Sequence, residues 1–187
     1  MIRSFLAIEI PRAIQEKIEE VQKDLRSSYA DVRWVNPEKI HLTLKFFGSI
    51  EEPKIEPITQ SIMEMIRDTS PFSLKVRGVG AFPNLKNPRV IWMGLVDGKE
   101  VLTHLQKQLE AELEKIGFER EDRAFHPHLT LGRTRSSKGR VELIGRMEKY
   151  QEEEFGVFRV ERIVLFKSDL RPTGPIYTSL KELRLGG

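Results

Sequence analysis

His41-Leu42-Thr43-Leu44 recurs as His128-Leu129-Thr130-Leu131, and the two copies hold two of the four histidines in the chain. In a β-strand successive side chains point to opposite faces. In each copy His and Thr therefore share one face, while the two leucines turn the other way into a core. Leu-Thr-Leu is ordinary strand sequence. His and Thr two residues apart, twice, is the pattern that a purely structural role leaves unexplained. Two such strands facing one cleft present two imidazoles, enough for a paired general acid and general base.

Outward from the two motifs, hydrophobic periodicity assigns the rest. Residues 2–10 read as a strand, and Pro11 opens a helix at its favoured first position, with Ile14, Ile18, Val21 and Leu25 on one stripe. A strand at 32–35 and the turn Asn36-Pro37 lead into the first motif strand, 40–47. A helix is expected over 54–68, then two β runs at 72–79 and 89–96 joined by the Pro- and Asn-containing segment 83–88. The clearest helix carries Leu102, Leu105, Leu109, Leu113 and Ile116, with Gly117 where a C-terminal cap belongs. The second motif strand, 126–133, follows it. After this come a polar loop at 134–139, a short helix at 141–149 and strands at 158–167 and 176–183 separated by a turn at 171–175. The motif histidines stand close to half the chain apart, and a strand–helix–motif-strand order precedes each. This predicts a degenerate duplication: one domain over 1–187 made of two intertwined α+β lobes, one motif in each, meeting at a shared groove.

Composition narrows the chemistry. With 187 residues, 39% of them hydrophobic, the chain can bury a full core. It has no cysteine, which excludes disulfides, cysteine-ligated zinc and thiol nucleophiles. No apolar run reaches membrane-spanning length, and the N-terminal segment lacks the form of a signal peptide, so a soluble cytoplasmic protein is expected. The net charge of +3 suits a polyanionic ligand. Charged residues make up 32% of the chain, a proportion like that of thermophile proteins.

Arg33-Trp34-Val35-Asn36-Pro37 running into His41-Leu42-Thr43-Leu44-Lys45-Phe46-Phe47-Gly48 resembles the first motif region of the 2H phosphoesterase superfamily. Phe125-His126-Pro127-His128-Leu129-Thr130-Leu131-Gly132-Arg133 resembles the second. Residues 3–8, 89–92 and 174–177 also fall where that family's flanking segments fall, so the resemblance covers essentially the whole chain. It is nearest to the RNA 2′,3′-cyclic phosphodiesterases, first described as 2′-5′ RNA ligases. The resemblance implies a bilobal, pseudo-twofold α+β fold with an antiparallel sheet in each lobe lining a central cleft and helices outside. It also implies action on RNA ends carrying a 2′,3′-cyclic phosphate, tRNA fragments among them, with no cofactor, no metal, no membrane and no protein partner.

The residue types suit that reaction. Hydrolysing a cyclic phosphodiester needs water deprotonated on one side of phosphorus and an alkoxide protonated on the other, and imidazole, with a pKa near 6.5, can do either at neutral pH. By the resemblance, His41 protonates the departing 3′-oxygen and His128 activates water, leaving a 2′-phosphate. The bare sequence does not assign the two roles. Thr43 and Thr130 can each donate a hydroxyl to the phosphate oxygens. The alternatives are ATP-independent 2′-5′ RNA ligation, the same chemistry reversed, and a non-catalytic module that binds RNA ends.

Among flanking residues, alternation puts Lys45 on the face of His41 and Thr43, within reach of phosphate. Arg133 falls on the leucine face unless Gly132 permits a bulge that turns it into the cleft. His126 shares the face of His128, but the pair has no third ligand nearby in sequence for a metal. His104 lies off its helix stripe and reads as solvated. Phe5, Trp34, Trp92 and Tyr177 are candidates for stacking on a base, Phe5 foremost.

Overall fold

In the computed structural model, which describes residues 1–172 and 174–186, nine strands form two antiparallel sheets backed by four helices. Strand β1 (Ile2–Glu9) runs into α1 (Arg12–Arg26), then β2 (Val32–Trp34), β3 (His41–Ile50) and α2 (Ile55–Ile66). Strands β4 (Phe72–Phe82) and β5 (Val90–Leu95) precede α3 (Lys99–Lys115), β6 (His128–Thr134) and α4 (Arg140–Glu148). The chain ends in β7 (Glu154–Val160), β8 (Arg162–Arg171) and β9 (Gly174–Arg184). No helix among the described residues is long and apolar enough to cross a membrane.

One sheet has the order β3-β1-β8-β9 and the other β2-β6-β5-β4-β7. The same arrangement occurs twice: a motif strand, then the strand before its preceding helix, then a two-strand extension. The β2 strand, on the free side of β6, has no counterpart beside β3 among the described residues. The first sheet draws β1 and β3 from one end of the chain and β8 and β9 from the other. The helices interlock the two sheets. Helix α1 follows a strand of the first sheet yet packs on α4 and β7 of the second, and α3 follows a strand of the second yet packs on α2 and β3 of the first.

Each helix sits where its stripe directs it. Ile14, Ile18, Val21 and Leu25 of α1 are all 3% exposed or less, and burying such a side chain contributes about 1.5–3 kcal/mol. Two expectations need correction. Pro11 is extended and precedes α1 instead of forming its first turn, within the ordinary uncertainty of a helix end. The strand expected at 158–167 is two strands, β7 and β8, divided at Glu161 and belonging to different sheets. A continuous apolar run carries no signal for that division. Thr173, inside the expected turn at 171–175, lies outside the described residues.

Both motif strands contain the same irregularity. Thr43 pairs with Ala7 and Lys45 with Leu6, so Leu44 has no partner of its own in the ladder. Thr130 pairs with Trp92 and Gly132 with Ile91, which leaves Leu131 in the same position. An extra residue of this kind puts two consecutive side chains on one face, and Leu44 with Lys45, like Leu131 with Gly132, are both buried. At Gly132 a Cβ would lie 2.8 Å from Val32 and 3.0 Å from Trp34, so a side chain there would push β2 off β6.

A buried glutamine supports the second bulge from behind. Gln22 of α1, 2% exposed, donates its side-chain amide to Leu131 O at 2.9 Å and to Val35 O at 2.7 Å. On α3, Gln106 stands in the same place relative to its stripe and donates to Glu110 at 3.1 Å. Leu131 O also accepts from the Val35 amide at 2.9 Å, so truncating Gln22 empties a buried site and takes the side-chain donor from Val35 O, and leaving such a carbonyl unpaired costs roughly 1–3 kcal/mol. Gln22→Ala is therefore expected to lower the unfolding free energy by about 2 kcal/mol in urea titrations, whereas Arg12→Ala, which removes an exposed helical ion pair, leaves the midpoint in place. An unshifted midpoint for Gln22→Ala would show that the Leu131 bulge does not depend on α1.

Candidate active site

A cleft of about 740 Å³ lies between the sheets, with His41 and Thr43 of β3 on one wall and His128 and Thr130 of β6 on the other. The structure thus brings all four motif residues into one cavity. The leucines behave as alternation requires: Leu42, Leu44, Leu129 and Leu131 are 3% exposed or less.

The imidazoles are held alike. His41 Nδ1 lies 2.9 Å from Lys39 O, and His128 Nδ1 lies 2.6 Å from His126 O, in each case the carbonyl two residues earlier. A carbonyl can only accept, so Nδ1 carries the proton and Nε2 is the free nitrogen of the neutral ring. Lys39 is itself anchored through Nζ to Pro175 O at 2.8 Å, at the start of β9 in the outer hairpin of the first sheet. Neither Thr43 nor Thr130 takes a hydrogen-bond partner through its hydroxyl among the described residues, which leaves both free for a ligand.

The two rings differ in surroundings. His41 stacks on Phe5 at 4.6 Å between centroids and meets Tyr177 edge-on at 5.0 Å. Burial pushes its pKa down to about 4, because an imidazolium loses hydration there that one backbone hydrogen bond does not replace. His128 meets the edge of Phe82 at 5.0 Å. Its pKa is also lowered, mainly by burial and further by Arg133 and His126.

The bulges decide which neighbours reach the cleft. Alternation predicts Lys45 on the histidine face. The extra residue at Leu44 instead makes it buried, with its ammonium 2.6 Å from Glu110 Oε2 and 2.6 Å from Glu119 O. It edges the cavity, but its charge is engaged by protein. The next residue, Phe46, takes the cleft face and is 63% exposed. The matching bulge at Leu131 turns Arg133 into the cleft, the outcome that Gly132 allowed.

Phe5 cannot stack on a base: it is 3% exposed and serves as the platform under His41. Trp34 lies under the Arg26 guanidinium. Trp92 lies over Gly80, where a Cβ would come within 2.3 Å of the indole. The aromatic side chains that do line the cleft are Phe46, Phe82 and Phe125, joined by Arg123. Simple alternation misses Phe46 because a bulge has no residue signature, while Phe82 lies past the expected end of its strand at 79 and Phe125 and Arg123 lie in the segment before β6. His126 lines the cavity, yet no group of three or more His, Cys, Asp or Glu side chains that could hold a metal occurs among the described residues.

The family described as LigT like Phosphoesterase matches residues 8–92 and 95–177, and a motif histidine stands at the same offset from the start of each stretch. A Methanothermobacter thermautotrophicus protein named RNA 2′,3′-cyclic phosphodiesterase is 38% identical over 98% of this chain and 99% of its own length. An Archaeoglobus fulgidus protein of the same name is 39% identical over 96% of this chain and 98% of its own. The crystal structure of a Thermus thermophilus protein superimposes with a TM-score of 0.82 at 29% identity, covering 99% of this chain and 98% of that one.

The shifted imidazoles make stability depend on pH. Both rings have folded-state pKa values below the 6.5 of an unfolded histidine, so just below 6.5 the unfolded chain binds more protons at both, and at His41 it does so down to about 4. Their contribution is complete above pH 6.5 and is lost as pH falls through that window. Urea titrations from pH 7 to 5 should show falling stability, and His41→Gln should flatten the slope by about 1 kcal/mol per pH unit. An unaltered slope in His41→Gln would mean that His41 is not held neutral by burial.

Proposed function

The chain belongs to the LigT-like phosphoesterase family, and from that premise we propose that it hydrolyses the 2′,3′-cyclic phosphodiester at RNA ends, leaving a 2′-phosphate. The observation that carries the reading is the matched pair of imidazoles. Each has its Nδ1–H fixed to a carbonyl, its Nε2 free, and an unengaged threonine hydroxyl two residues on, all lining one cleft. The names of the relatives supply the substrate class.

The cyclic phosphate sits between the two motif strands. His128 takes a proton from water at Nε2 as the water oxygen bonds to phosphorus. The bond from phosphorus to the 3′-oxygen breaks, and His41 delivers a proton from Nε2 to that oxygen. Thr43 and Thr130 donate hydroxyls to the non-bridging oxygens, where charge concentrates. The surroundings favour this assignment. Arg133 beside His128 opposes its protonation, as a base requires. His41 is held neutral by burial, with no cation contributing, so a bound phosphodiester anion offsets that effect and lets it carry a proton. After turnover His128 gives its proton to solvent and His41 takes one up from solvent, which resets the pair. Composition without cysteine suits a reducing, cytoplasmic location.

Incubation with a 2′,3′-cyclic nucleotide in EDTA should give a 2′-phosphate by phosphorus NMR. His41→Ala and His128→Ala should each lose about 10²–10⁴-fold in kcat, and Thr43→Val or Thr130→Val less, with circular dichroism unchanged. Near wild-type turnover in either folded histidine variant would overturn the two-imidazole scheme.

The pH profile follows from the same shifts. The free enzyme must carry a proton on His41, whose pKa is about 4, while His128, also below 6.5, stays neutral. The kcat/KM bell should therefore lie on the acid side of neutrality, bounded by two values that belong to the coupled pair. The bound anion moves the kcat bell to higher pH. A kcat/KM that rises steadily from about pH 5 to 9, across the imidazole range, would rule out a protonated acid.

A further inference from the structure

Two sides of the cleft differ in charge. The one past Phe46 is walled by Phe47, Phe118, Glu119, Glu121 and Asp122. Its cations are already engaged: Lys45 pairs with Glu110 and Arg120 with Glu114. None of Glu119, Glu121 and Asp122 has a cationic side-chain partner in a salt bridge among the described residues, so this side repels a polyanion. The other side passes Arg133. There Arg33 of β2 is the direct cross-strand partner of Arg133, and residues directly opposite in a ladder place their side chains on the same face.

Two like charges opposed in this way destabilise a sheet. Among the described residues neither arginine is relieved by a carboxylate, whereas Arg12, Arg77, Arg146 and Arg162 each have one. The strand that brings Arg33 there is an addition to the duplicated plan. Among the described residues it pairs with β6 only, and the corresponding edge of β3 has no such strand. Val32 and Trp34 alternate away from Arg33 and close on Gly132, where no Cβ fits. Of the three residues of β2, Arg33 alone faces the cleft side, and it is exposed.

We propose that Arg33 and Arg133 form a track for the backbone phosphates on the 5′ side of the cyclic end, so that the enzyme prefers an oligonucleotide end to a cyclic mononucleotide. The proposal rests on the cyclic phosphodiesterase reading. With the cyclic phosphate between His41 and His128, the strand continues from the 5′-oxygen of the terminal ribose and leaves the cleft along the side that best accepts its phosphates. Among the described residues Arg123 also lines the cleft without a carboxylate partner, but it stands singly, next in sequence to Asp122, whereas the side past Arg133 offers two such cations opposed across one ladder. Arg133 serves the phosphate nearest the reacting end, and Arg33, one strand farther out by about 4.8 Å, serves the next.

The test compares wild type, Arg33→Ala and Arg33→Lys on 2′,3′-cyclic AMP and on a tetranucleotide ending in a 2′,3′-cyclic phosphate. Arg33→Ala should lower the ratio of kcat/KM for tetranucleotide over mononucleotide roughly tenfold, and Arg33→Lys should restore most of it. Binding of a labelled tetranucleotide to His41→Ala, so that it is not consumed, gives a second readout. Adding Arg33→Ala should reduce the slope of log affinity against log salt by about 0.7, one single-strand phosphate contact. An unchanged ratio with an unchanged slope, or equal losses on both substrates, would overturn the track. If wild type hydrolyses neither substrate, the cyclic phosphodiesterase reading fails, and the salt slope alone then decides whether Arg33 meets a phosphate.

Discussion

One extra residue in each motif strand organises this molecule. Without the bulges at Leu44 and Leu131, strict alternation would point Lys45 and Gly132 into the cleft and bury Phe46 and Arg133. With them, each strand keeps His and Thr on the open face for its first three residues, turns two successive side chains inward, and then presents a different group to the cavity. On β3 that group is Phe46, and on β6 it is Arg133. The duplicated scaffold thus supplies two equivalent imidazole–hydroxyl pairs but an unequal outer wall, apolar on one side and cationic on the other.

The bulges are held by the opposite lobe. Gln22 reaches Leu131 from α1, and the Gln106–Glu110 pair on α3 meets Lys45 beside Leu44. Because α1 and α3 each pack on the sheet they did not come from, each motif strand is positioned by a helix connected in sequence to the other sheet. The relative placement of the two histidines is therefore built into the core and does not rest on loops. A site that works by positioning benefits from such rigid support. The Lys45–Glu110 pair belongs to that support: breaking a pair so buried leaves a charge without compensation, which explains why its ammonium is unavailable to substrate.

Much of this could be read from the chain. The repeated His-Leu-Thr-Leu, the stripes of α1 and α3 and the period of the strands fix the helices, the motif strands and the four residues brought together in the cleft. Sequence reasoning stops where a local geometry has no residue signature. The bulges reverse the sides of Lys45 and Phe46. The division at Glu161 hides the passage from one sheet to the other inside a single apolar run. Aromatic character alone cannot separate Phe5, which supports His41 from below, from Phe82, which borders the cavity. Gly132 is informative because a missing side chain there has one direct use, to let β2 lie against β6.

The central claim is that both imidazoles present a neutral Nε2 to the cleft, with the proton held on Nδ1 by a backbone carbonyl. Nitrogen-15 NMR of the labelled histidine rings, titrated with and without a 2′-phosphorylated nucleotide, tests this most directly. The account predicts the Nδ1–H tautomer for His41 and His128 at about pH 7, where both rings are neutral, with His41 titrating near 4, His128 below the ordinary 6.5, and both moving up when the phosphate binds. A proton on Nε2 in either neutral ring, or either ring titrating above the ordinary 6.5 in the free protein, would contradict it.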